Sequence, residues 1–167
     1  MDDALFRARE KLNSVTPLKR DCGRVCGSRC CDSLEGEETG MLLFPGEDVL
    51  YRDMEEWKIL PAPAGSMVIC PGTCSREDRP LACRLFPLLP VIRDGAVRAV
   101  MDRRAYAVCP LARQGIRALD PEFTTAVREA GKILAEDGKQ RRFLEMLTEE
   151  QDELKPLRDR LGGDSHV

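Results

Sequence analysis

Four thiols crowd into the ten residues Cys22-Gly23-Arg24-Val25-Cys26-Gly27-Ser28-Arg29-Cys30-Cys31, and no other stretch constrains the chain as strongly. Cys70, Cys74, Cys83 and Cys109 answer it and bring the total to eight. Core packing does not explain such spacing, because a buried structural cysteine acts as a small hydrophobe and comes singly on a periodic apolar face. Thiolates are soft, strongly donating ligands, and four of them satisfy a tetrahedral zinc ion or hold an iron-sulfur cluster. All eight cysteines are therefore candidate metal ligands, at one site or two. Two quartets leave no spare thiol. Neighbouring side chains such as Cys30 and Cys31 tend to diverge, so the vicinal pair is expected either to serve different metals or to leave one thiol out.

Rival uses of eight cysteines fare less well. The start, Met1-Asp2-Asp3-Ala4, has acids where a secretory signal carries positive charge, so a cytoplasmic location with reduced thiols is expected, and four disulfides are disfavoured. The apolar stretch from Leu85 to Ile92 is broken by Pro87 and Pro90 and is far too short to span a bilayer, so no membrane partner is expected. A formal net charge of -3 and 5% aromatic residues argue against nucleic acid, which needs basic patches and stacking platforms. A thiol-redox enzyme is an alternative, but Cys-x-x-Cys is absent, no cysteine has a base nearby in sequence, and the sole histidine, His166, lies in the C-terminal tail. No catalytic constellation is identified. A structural zinc module engaging a protein partner is the other alternative.

Hydrophobic periodicity frames the cysteines. Ala4, Leu5, Ala8, Leu12 and Val15 share one helical face, predicting an amphipathic helix over residues 2 to 15 that Pro17 ends. Residues 18 to 40 carry no helix or strand period; they read as a glycine-containing ligand loop with a solvated acidic run at Glu35, Glu37 and Glu38. Short strands are expected at Met41 to Phe44, Trp57 to Leu60 and Ser66 to Ile69, with Trp57 in the core. A helix is expected from Glu47 to Glu56 with Val49, Leu50 and Met54 inward, and a loop through Pro61, Pro63 and Gly65. Asp94-Gly95 between two apolar runs predicts a β-hairpin, Leu88 to Arg93 against Ala96 to Met101. Cys109-Pro110-Leu111 reads as loop. Asp120 and Pro121 cap a helix with Phe123, Val127, Ala130 and Leu134 on its apolar face. Gly138 separates it from a second helix bearing Phe143, Leu144 and Leu147, with a break at Pro156.

The spacing of the thiols narrows their chemistry. Three residues separate Cys22 from Cys26 and Cys70 from Cys74, which suits zinc knuckles without excluding iron. Between Cys70 and Cys109 every basic residue is arginine. Arg79 and Arg84, either side of Cys83, are the candidate cofactor-binding cations, since arginine compensates thiolate charge and donates hydrogen bonds to sulfur. Arg76, Arg93, Arg98, Arg103 and Arg104 read as surface charge.

The string Arg79-Pro80-Leu81-Ala82-Cys83-Arg84-Leu85-Phe86-Pro87, with the cluster ending in Cys30-Cys31 and the later Cys109-Pro110, resembles the YkgJ-type cysteine-cluster family over about residues 20 to 111. Where that family usually has two residues between its first cysteines, both gaps here hold three. The resemblance implies a zinc- or iron-chelating domain; some members are labelled iron-sulfur oxidoreductases. The expected architecture is thus α+β: a small, loop-rich cysteine-cluster domain with a β-hairpin at 1-118 including the N-terminal helix, a helical segment at 119-161 packed on it, and a tail at 162-167. The expected cofactor is an iron-sulfur cluster or zinc.

Overall fold

The computed structural model describes residues 3–31, 40–72 and 74–154. The acidic run at Glu35, Glu37 and Glu38, the break at Pro156 and the tail with His166 lie outside the described residues. The chain mixes helix with two small antiparallel sheets.

The body of the molecule follows from apolar periodicity. Helix α1 (Asp3–Lys11) buries Ala4, Leu5 and Ala8, and Leu12 continues the same face. It packs on the long helix α6 (Pro121–Leu134), whose start follows the capping rule: Asp120 accepts the Glu122 N–H at 2.8 Å, and Pro121 occupies the first turn where no donor is needed. Phe123, Val127, Ala130 and Leu134 are all buried. A second capping aspartate, Asp137, accepts from Lys139 and Gln140 and opens helix α7 (Gly138–Glu153), which buries Phe143, Leu144 and Leu147.

Both helices lie against the predicted hairpin, Leu88–Arg93 with Ala96–Met101, in the register Arg93↔Ala96. Asp94 and Gly95 both have positive φ, 53° and 72°, which is the primed turn that matches strand twist. One apolar cluster, including Leu5, Leu88, Phe123 and Leu144, runs across the boundary expected at 118/119.

The three-stranded sheet has the order Met41–Leu42, Gly65–Ile69, Lys58–Ala62. Pro61 lies inside its last strand rather than in a loop. That strand is an edge, where a residue without an N–H costs no ladder bond on its open side. The helix expected over Glu47 to Glu56 is reduced to a 3-10 turn, Glu47–Leu50, and Val49 points outward at 44% exposure. Tyr51 takes the inward place and stacks on Trp57 at 4.8 Å between ring centroids, within a second, small apolar cluster with Leu43 and Val68.

Candidate metal centre

The first cysteine cluster is not shapeless loop. Asp21 accepts the Gly23 N–H at 3.0 Å and starts a one-turn helix α2 (Gly23–Cys26). Cys22 and Cys26 are one helical turn apart, so both thiols share a side of it. Gly27 (φ 67°) and Ser28 (φ 57°) are both left-handed, and this paired kink reverses the chain into a 3-10 turn, Arg29–Cys31. Cys30 and Cys31 stand exposed on that turn with their side chains hydrogen-bonded.

The remaining thiols arrive from the body. Cys70 follows the strand Gly65–Ile69, and Cys74 closes the turn after it. Cys83 sits within helix α3 (Leu81–Leu85). Cys109 lies in extended backbone between helices α4 (Ala105–Val108) and α5 (Pro110–Gln114), so Pro110 begins a helix where a loop was expected. None of the eight cysteines is in a disulfide, and segments far apart in sequence bring them to two adjoining clefts. Cys22, Cys26 and Cys109 line only the first; Cys31, Cys70 and Cys74 line only the second; Cys30 and Cys83 line both. Among the described residues no three Cys, His, Asp or Glu side chains converge as a preformed ion cage. The donor set nonetheless fits a soft metal, being all sulfur, with Cys30 and Cys31 on an exposed turn at the mouth of the clefts.

Arg79 lines both clefts. Burial opposes its charge, but a hydrogen bond with the Cys74 thiol and the nearby Cys31 and Cys83 outweigh that, and its pKa is raised. Arg84 differs from expectation: it donates to the carbonyls of Arg79, Glu77 and Arg9 and to Asn13 Oδ1, so it holds backbone rather than sulfur. Arg76, read as surface charge, likewise donates to the carbonyls of Leu12, Asn13 and Val15 at the end of α1. Arg9 pairs with Glu47 and reaches the Glu77 carbonyl at 3.1 Å. Glu47, wholly buried, also accepts the N–H groups of Phe44 and Leu81 at 3.2 and 2.7 Å. These residues fasten the segment between Cys74 and Cys83 to α1. Nothing local in the sequence marks them, since Arg84 and Asn13 stand 71 positions apart.

Five of the thiols are held toward their protonated form. Burial raises the pKa of Cys22, Cys74, Cys83 and Cys109, with neighbouring thiols adding to the effect. At Cys30, exposed as a residue but lining both clefts, the hydrogen bond to Cys31 is the larger cause and desolvation on the cleft side the next. Arg79 opposes the rise at Cys74, and the Leu111 and Ala112 N–H groups oppose it at Cys109. A metal that binds here must displace those protons, as thiolate ligation requires. No helix among the described residues is long and apolar enough to cross a membrane. Comparison with protein-family models, with curated proteins and with solved structures finds no match to the chain.

Proposed function

We propose that this is a metal-binding protein whose cysteine thiolates hold an iron-sulfur cluster or zinc, in an α+β cysteine-cluster domain that the metal staples together. The observation that carries the reading is the gathering of eight cysteines, none in a disulfide, from four separate parts of the chain around two adjoining clefts with Arg79 lining both. A core does not need such an arrangement, and α2 and the 3-10 turn after it bury no residue at all. The resemblance of the Arg79 to Pro87 string to the YkgJ-type family supports the same reading.

Bound metal would supply the positive charge that lets thiols ionise side by side. The protein's share is to position the donors and to place Arg79 against the resulting negative charge. An iron-sulfur cluster would suit an electron-transfer or accessory role, whereas zinc would make the domain a structural module for a protein partner. Purification without oxygen, followed by elemental analysis beside the visible spectrum, tests this. A brown protein with iron and sulfide, or a colourless one with zinc, is the expected result. A folded chain with neither overturns the proposal.

A further inference from the structure

We propose that the eight thiols form two separate sites, Cys22, Cys26, Cys30 and Cys109 in one and Cys31, Cys70, Cys74 and Cys83 in the other, so that the vicinal pair is divided between two metals. The inference rests on the metal-binding reading above and goes past it to the ligands of each site.

Three thiols are assigned on each side by the clefts alone, because Cys22, Cys26 and Cys109 do not reach the second and Cys31, Cys70 and Cys74 do not reach the first. The backbone agrees. Helix α4, which delivers Cys109, packs against the 3-10 turn that carries Cys30. On the other flank, the turn between Cys70 and Cys74 lies on the Cys31 backbone: a Cβ built on Gly72 would stand 3.9 Å from the Cys31 carbonyl oxygen. Only Cys30 and Cys83 line both clefts, and the packing of their elements divides them. The 3-10 turn of Cys30 lies against α4, beside Cys109, whereas α3, which carries Cys83, packs on the strand Met41–Leu42, the partner of the strand that leads into Cys70.

Each site then takes one thiol from the same exposed turn and ties it to a different wall, α4 with α5 on one side and the three-stranded sheet with α3 on the other. Two all-thiolate sites side by side concentrate negative charge, and Arg79, lining both clefts, is the cation placed to meet it. Each thiol gives up its proton to solvent as it binds.

The full chain, reduced and kept without oxygen, is titrated with cobalt(II), whose tetrathiolate absorption counts occupied sites. The unaltered chain should saturate at two equivalents. Cys109→Ser and Cys31→Ser should each reach half that amplitude, and the double variant should show none. If Cys109→Ser fails to fold by circular dichroism, Cys30→Ser on the exposed turn takes its place with the same expectation. Saturation at one equivalent in the unaltered chain, or a single variant that loses both signals or neither, overturns the partition and leaves metal binding standing. A folded chain that takes up no cobalt overturns both.

Discussion

The body and the cysteine face of this protein are held by different forces. In the body, α1, the hairpin, α6 and α7 close over one apolar cluster in which Leu5, Val91, Phe123 and Leu144 are fully out of water. On the cysteine face, α2 and the 3-10 turn bury nothing, and the segment between Cys74 and Cys83 is fastened by arginine and glutamate to backbone groups. Burial of apolar area is non-directional and secures the body whatever the metal state. The face has directional bonds and thiols, so its order depends on each partner being present.

The largest effects should come where each region has a single irreplaceable group. Glu47→Ala leaves Arg9 buried without its counter-charge and two N–H donors unpaired, and should cost about 3–5 kcal/mol in denaturant unfolding. Phe123→Ala should cost a similar ~3–5 kcal/mol through the cavity it leaves, yet leave metal content per folded chain unchanged. Equal damage to metal content by both would break the division between the regions. Next in size, Arg79→Ala should weaken metal retention against a competing chelator about 10–100-fold with little change in the body's far-ultraviolet circular dichroism, the scale typical of partners that support metal ligands. Asp120→Ala, removing one helix cap, should cost only about 1 kcal/mol.

Glu47 also sharpens the contrast through pH. Burial lifts its carboxyl above the usual range, with Arg9 and the two N–H groups pulling the other way. Over the interval between the ordinary and the raised value, the folded chain holds a proton that the unfolded chain has released. This contribution is therefore full below the ordinary carboxylate range and is lost as pH rises through the raised value. Glu47→Gln should flatten that slope in a series of unfolding curves.

The division also explains what could be read from sequence. The hairpin, α6 and α7 announce themselves through Asp94-Gly95, Asp120-Pro121 and regular apolar spacing, because the forces that build them are local or periodic. The strand through Pro61 and the outward turn of Val49 were hidden, since each depends on which neighbours the sheet and Tyr51 supply. The thiols were visible as chemistry but not as geometry. Arg79 stands out in the chain by its place near Cys83, but its hydrogen bond with Cys74 does not, and the grips of Arg76 and Arg84 on carbonyls 64 and 75 positions away leave no local trace. Nothing local marks Glu47 as a buried acid either, since its partners Arg9 and Leu81 stand 38 and 34 positions away.

Hydrogen-deuterium exchange on the oxygen-free chain, before and after metal is stripped by a chelator, tests the central claim most directly. Removing the metal should speed exchange of the 22–31 amides on the order of 100-fold, as local opening loses the ligands that closed it, while the amides of Phe123 to Leu134 stay nearly unchanged. Equal protection of the 22–31 amides with and without metal would contradict the account.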